Sequence, residues 1–339
     1  MLNNNRPVII WLLLIVLMIF GTIMIGGITR LTDSGLSMVD WRPLMGIIPP
    51  TSEADWNKVF EMYKQYPEYQ KLNYNITLSE FKSIFFWEYA HRMFGRMIGL
   101  FMFLPWLFFS IKKRLSSSFN LKILALFILL VAQGVLGWYM VQSGLIDKPQ
   151  VSHYRLAAHL LLALALLGAT LWQALNLMRG ESTAIGRSQP RLRQIALVFT
   201  VLISLQIFYG AIVAGLNAGP GYNTFPLMAG HLVPPRMFML EPLWLNLLDN
   251  HITVQFLHRT FGWLILFSAA GIWLYARKLP LSSKQSHSIK AITGLVTLQF
   301  ILGVLTLIYV MPLGLAIAHQ AVAAILFASA INLNHSLRK

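Results

Sequence analysis

His91-Arg92-Met93-Phe94-Gly95 recurs 167 positions later as His258-Arg259-Thr260-Phe261-Gly262. Two further pairs repeat in the same order. Gln133-Gly134-Val135-Leu136-Gly137 returns loosely as Gln299-Phe300-Ile301-Leu302-Gly303, and Pro43-Leu44-Met45 with Pro49-Pro50 returns as Pro226-Leu227-Met228 with Pro234-Pro235. Self-similarity on this scale marks a chain built from two copies of one unit.

That unit is apolar. Stretches near 8–28, 85–110, 121–142, 153–177, 193–216, 252–276, 289–310 and 313–333 reach or approach the ~20 helical residues that cross a ~30 Å hydrocarbon core. Only 12% of the 339 residues are charged and 56% are hydrophobic, against a charged share of about 25% in soluble domains; mean hydropathy is +0.61. Inside lipid each backbone group must bond within its own segment, so the spans are helices. Each half holds four of them, with a long external loop between its first and second. An even number of spans per repeat points both halves the same way. The expected fold is an all-α integral membrane protein, eight transmembrane helices arranged as two parallel-repeat four-helix bundles. The expected divisions are 1–177, including the external loop 29–84, a cytoplasmic linker 178–192, and 193–339.

The net charge of +15 would by itself suit nucleic acid, but its distribution points elsewhere. Arg6, then Lys112, Lys113, Arg114 and Lys122, then Arg179, Arg187, Arg191 and Arg193, then Arg277, Lys278, Lys284 and Lys290, and finally Arg338 and Lys339 all fall on one side of the expected topology. Glu181 is the single acid among them. By the positive-inside rule both termini are cytoplasmic; the excess charge orients the chain, and no nucleic-acid partner is expected. Zero cysteines exclude disulfides, thiolate ligands and iron–sulfur clusters. The first apolar run lacks a small-residue cleavage site, and no Arg/Ser-rich transit segment precedes it, which suggests an uncleaved helix in a bacterial cytoplasmic membrane.

Four of the nine histidines fall inside spans: His91, His159, His258 and His319, on the second, fourth, sixth and eighth. Each lies about six residues below the outer start of its span, roughly 9 Å at 1.5 Å per residue. Polar groups at membrane depth are expensive and functional by default. Interhelical hydrogen bonding would explain one such histidine; matched pairs at equal depth in both halves point to ligation. Two imidazoles per bundle, with no thiolate or third histidine, make a poor zinc or blue-copper shell. They suit the two axial positions of a haem between facing helices. A small residue lies one turn beneath each histidine: Gly95, Ala163, Gly262 and Ala323. These share the histidine's face and leave room for a flat macrocycle, or else simply allow close helix packing. Arg92, Arg96 and Arg259, with Arg155 above His159, are candidate partners of the propionates, the alternative being snorkelling to the interface.

The halves differ beside these ligands. Three positions before His91 stands Glu88, and three before His258 stands Gln255; Arg96 is answered by Trp263. A carboxylic acid on the ligand's own face suits proton transfer or the stabilisation of a developing cation, while an ion pair with Arg92 at i+4 is the plainer reading. The expectation is chemistry in the first bundle and electron passage in the second.

At Gly26-Gly27-Ile28-Thr29-Arg30-Leu31-Thr32, Ser34-Gly35-Leu36-Ser37, Glu88-Tyr89-Ala90-His91-Arg92, Gly215-Leu216-Asn217-Ala218-Gly219, Phe225-Pro226-Leu227-Met228, His258-Arg259 and Ala318-His319-Gln320, the chain closely resembles the haem A synthase family. The resemblance runs from about residue 7 to 333. It implies haem b in the C-terminal bundle on His258 and His319, and haem O as substrate in the N-terminal bundle at His91 and His159. Successive hydroxylations of the C8 methyl would give an aldehyde hydrate, which loses water to leave the formyl group of haem A. Glu88 would stabilise cationic character at the methyl and help deprotonate water. Implied partners are a haem O synthase as supplier, haem–copper oxidases as recipients and an electron carrier that the sequence does not identify; homo-oligomerisation is left open. Some members carry cysteine pairs in external loops. This chain has none, so a thiol relay cannot operate, and it looks like the cysteine-free form of proteobacteria and mitochondria.

Three other readings compete. A di-haem bis-histidine electron-transfer cytochrome of the quinol oxidoreductase type leaves the Glu88/Gln255 asymmetry unexplained. A transporter predicts Gly/Pro-broken helices near the midplane, but the polar layer falls close to the outer face, and Pro105 is the clearest proline well inside a span. A structural assembly factor would not need four matched histidines. His153, His231 and His251 fall beside external connections, and His287 and His335 read as incidental cytoplasmic residues. The aromatic run Trp56, Phe60, Tyr63, Tyr66, Tyr69 and Tyr74 is expected on the outer membrane surface.

Overall fold

A computed structural model describes residues 2–40, 45–179 and 189–338. Residues 180–188 of the expected linker, and Pro43 and Leu44 of the proline repeat, lie outside the described residues. Among the described residues the chain is helical, without strands. Eight helices are long and apolar enough to cross a membrane: α1 (Leu2–Leu31), α4 (Leu78–Ile111), α5 (Ser117–Gln142), α6 (His153–Arg179), α7 (Pro190–Gly215), α8 (His251–Ala276), α9 (Ser283–Ile308) and α10 (Leu313–Ser336). Two shorter ones, α2 (Glu53–Tyr63) and α3 (Pro67–Lys71), lie between α1 and α4.

The chain groups into two compact units, 14–166 and 1–13 with 167–339. In the second unit α7 packs on α8, α8 on α9, α9 on α10 and α10 back on α7, which closes a ring of four. In such a ring each helix buries a face against its neighbours, although α7 and α8 are joined by the long segment 216–250. In the first unit α4 packs on α5 and α2. Thr29 of α1 donates to the Trp87 carbonyl of α4 at 3.2 Å, and Gln133 of α5 donates to the His159 carbonyl of α6 at 3.0 Å.

Hydropathy located every span but set several starts late, and for α4 and α9 helix capping explains why. α4 begins at Leu78 because Thr77 and Glu80 form a capping box: Thr77 Oγ1 accepts from Glu80 N, and Glu80 Oε2 accepts from Thr77 N at 2.8 Å. α9 begins at Ser283 through the same device in Ser282 and Gln285. Polar first turns satisfy the orphan N–H groups yet carry no lipid signal. As a result His91 lies 13 residues past the start of α4, whereas His159, His258 and His319 lie six or seven past theirs.

The extra turns of α4 carry the external aromatics. Phe81 and Tyr63 are fully buried; Tyr63 and Phe60 each stack at 5.0 Å on Phe81, and Trp56 meets Phe85 edge-on at 5.1 Å. The run expected on the outer membrane surface thus builds a small core of its own, leaving Tyr74 exposed. Burying each such ring contributes about 2 kcal/mol.

Glu68 lies buried at the edge of that core. It accepts from Tyr63 Oη at 3.0 Å, and Asn73 Nδ2 donates to the same phenol at 2.8 Å. Burial pushes its carboxyl up to about 8 from 4.5, against the lowering effect of the Tyr63 bond. A carboxyl raised on folding binds its proton more tightly in the folded state, so its stabilisation is full below the unfolded value and fades as pH rises through the folded one. Stability of the α2–α3 segment is therefore expected to fall by roughly 3 kcal/mol between pH 5 and 8. Glu68→Gln should flatten that dependence in hydrogen exchange of α2 and α3 amides; an unchanged slope would refute it.

His335 is not incidental. It is buried near the end of α10, with Nε2 3.0 Å from Asn176 Oδ1 and its ring edge-on to Trp172 at 5.0 Å. Arg338 Nη1 donates to the same Asn176 oxygen at 2.7 Å.

Candidate functional site

Each of the four span histidines faces a glycine on a neighbouring helix. A Cβ built on Gly26 of α1 would lie 3.1 Å from His91 Nε2; on Gly137 of α5, 2.9 Å from His159 Cε1. On Gly210 of α7 it would lie 3.2 Å from His258 Cε1, and on Gly303 of α9, 2.8 Å from His319 Cε1. Carbon contacts are ordinarily about 3.5–4.0 Å, so only the missing side chain lets the helices hold the rings this closely. Nδ1 of His159, His258 and His319 is buried without a hydrogen-bond partner, while all four rings remain partly exposed.

One turn before three of these glycines stands a glutamine that reaches across. Gln133 Nε2 lies 3.3 Å from His159 Nε2 and donates to the His159 carbonyl. Gln206 Nε2 donates to the His258 carbonyl at 3.0 Å, and Gln299 Nε2 lies 3.3 Å from His319 Nε2. The 133–137 and 299–303 repeat was visible in the sequence. Its purpose was not, nor was its third copy, Gln206-Ile207-Phe208-Tyr209-Gly210, which a search for Gln-x3-Gly on alternate spans would have found. The small residues expected to clear space do so unequally. A Cβ on Gly95 would meet nothing within 4 Å, whereas on Gly262 it would meet Gln206 Nε2 at 3.7 Å and the Phe300 ring at 4.0 Å.

Above the rings, Glu88 and Gln255 hold loops. Glu88 is buried; Oε2 accepts from Ser37 Oγ and Met38 N, both at 2.7 Å, and Oε1 from Arg92 Nη2 at 2.5 Å. Arg92 Nη2 also donates to the Met38 carbonyl at 2.9 Å. The Glu88–Arg92 ion pair thus forms, but within a three-donor seat that also anchors the loop after α1. In the other half Gln255 Nε2 donates to the Gly219 and Tyr222 carbonyls at 2.9 and 3.1 Å. Arg259 gives Nη1 to Thr224 O at 2.8 Å and Nη2 to Tyr222 O at 2.5 Å, leaving Nε buried without a partner. Arg96 Nη1 reaches Met93 Sδ at 3.5 Å, and Arg155 lies over the Tyr139 ring at 3.6 Å. His231 and His251 are exposed. Among the described residues no three His, Cys, Asp or Glu side chains gather as a bare metal site.

Fold and site together define a multi-pass, all-helical membrane protein whose imidazoles are set against glycines of neighbouring helices. Residues 9–331 match the family model described as Cytochrome oxidase assembly protein. The Heme A synthase of Nitrosospira multiformis is 45% identical over 99% of this chain and 94% of its own length. That of Nitrosomonas eutropha is 45% identical over 97% and 93%, and that of Parvibaculum lavamentivorans 41% over 99% and 96%. The chain belongs to the haem A synthase family, as a multi-pass protein of the bacterial cytoplasmic membrane.

Proposed function

We propose that this chain oxidises the C8 methyl of haem O to the formyl group of haem A, for use in haem–copper oxidases. In this reading haem O binds in the N-terminal half, 1–177, between His91 and His159, and a resident haem b binds in the C-terminal half, 193–339, between His258 and His319. Both termini are cytoplasmic, as the one-sided distribution of Lys and Arg suggests. The observation that carries the reading is the recurring imidazole–glycine cradle. Bis-histidine haem ligation needs neutral imidazoles, fixed in orientation and with room beside them, and the buried Nδ1 atoms and partly open rings fit that group. The bound haem b would supply one-electron redox chemistry. Arg259, with Nε free and the other nitrogens on loop carbonyls, is placed to hold a propionate. Arg92 and Arg96 have the corresponding role at the substrate.

Glu88 separates this from a di-haem electron carrier. Its carboxylate, one turn from His91 and bonded to Ser37, Met38 and Arg92, provides negative charge where a cation would develop at the methyl, and an acceptor for the proton of attacking water. The test is haem extraction and mass analysis of protein purified from cells that make haem O. Haem A or its hydroxylated precursor is expected in wild type, with haem O accumulating in Glu88→Gln and oxidation slowed at least a hundredfold. Two haems b per chain in both proteins would overturn the reading.

A further inference from the structure

We infer that His91 is the exchangeable axial ligand of the substrate haem and that Thr22 makes it so; this rests on haem O occupying the His91–His159 half. A substrate must enter and its product leave, whereas a resident cofactor stays. A metal held by two rigid ligands on two tied helices exchanges slowly, so one ligand of the substrate site has to let go.

The four cradles are alike except at His91. Gln133, Gln206 and Gln299 each stand four residues before the cradle glycine and bond to the histidine on the next helix, through its carbonyl, its ring or both. Four residues before Gly26 stands Thr22, too short to cross, and its hydroxyl donates to Met18 O on its own helix at 2.9 Å. Two facing helices are therefore tied to the turn that bears the ligand and a third to the ligand's ring, and α1 is tied to His91 in neither way.

The ring itself differs too. His159, His258 and His319 present Cε1 to their glycines, but His91 presents Nε2, with Cε1 next at 3.2 Å. The nitrogen that reaches furthest from the backbone is thus turned toward α1. Beneath it, Gly95 opens on space where Gly262 meets Gln206 and Phe300. His91 has open space beneath it and no amide to hold it, whereas each of the other three is bonded by a glutamine.

Carbon monoxide reports this directly, because it binds a ferrous haem only where an axial position opens. Protein purified from cells that make haem O is reduced and titrated with carbon monoxide, with haem type and loading measured by extraction in the same samples. About one haem of two is expected to bind in wild type. Thr22→Gln should lower that fraction at least fivefold with loading retained, and Gln299→Thr should recruit the second haem. Both substitutions lie outside the ligand set, and the second carries the test in the opposite direction should the first fold poorly. Two fully loaded haems that refuse carbon monoxide, or binding unchanged in both variants, would overturn the assignment of His91 alone. Samples with no haem O or oxidised product in them would overturn the synthase reading and this assignment together.

Discussion

Gly303→Ala is expected to remove one haem of two, whereas Gly294→Ala on the same helix leaves both in place and slightly stabilises the protein. A Cβ at position 303 would lie 2.8 Å from His319 Cε1, and one at 294 meets nothing within 4 Å. Relief at 303 needs a shift of roughly 0.7 Å to restore ordinary contact, several times the ~0.2 Å within which metal–ligand distances hold. A free imidazole could swing aside at little cost; one bonded to iron could not without losing the bond. At 294 the only effect is helix propensity, about 0.8 kcal/mol in favour of alanine. Haem per chain, measured on purified protein together with thermal unfolding, separates the two. Equal loading in both variants would show that the glycine cradle does not constrain the ligand.

That contrast also locates what was legible in the sequence. Eight helices followed from apolar runs because the bilayer sets their length, and each histidine's depth along its own span could be counted from the sequence. Depth along an axis says nothing about rotation around it. The small residues one turn below the histidines, Gly95, Ala163, Gly262 and Ala323, therefore fit either room for a macrocycle or close helix packing, while the glycines that touch the rings, Gly26, Gly137, Gly210 and Gly303, lie on other helices. Contacts between helices depend on rotation and tilt, which hydropathy does not encode in a helix apolar on all sides. The early start of α4 was hidden for a related reason: its first turns carry little hydropathy signal, and only the Thr77/Glu80 pair marks them. The aromatics of segment 29–84 fit an interfacial belt in the sequence, because nothing local reveals that Phe81 and Phe85 of α4 pack against them.

Gln255→Glu is expected to destabilise the C-terminal half by roughly 3–5 kcal/mol, the cost of an uncompensated buried charge, although it only swaps in the residue of the other half. Gln255 is buried, and its amide nitrogen donates to two carbonyls, Gly219 O and Tyr222 O. A carboxylate there offers acceptors to acceptors, and Arg259 is already committed to Tyr222 and Thr224. Glu88→Gln is the milder exchange. Its loop offers donors, Ser37 Oγ and Met38 N, and an amide keeps one oxygen to accept them; its NH2 then faces Arg92, which loses its ion pair but keeps the Met38 carbonyl, at a cost of about 3 kcal/mol. Thermal unfolding and haem content should therefore rank wild type, then Glu88→Gln, then Gln255→Glu, with the last short of haem b in particular; an equal loss in both would mean that the loops are not what these residues hold. The ranking bears on chemistry as well. If Glu88→Gln keeps its loop, its haem O site and most of its stability, then a large loss of oxidation in that variant belongs to the missing charge and proton acceptor, since the same substitution made in reverse at 255 measures how much of such a change is architecture.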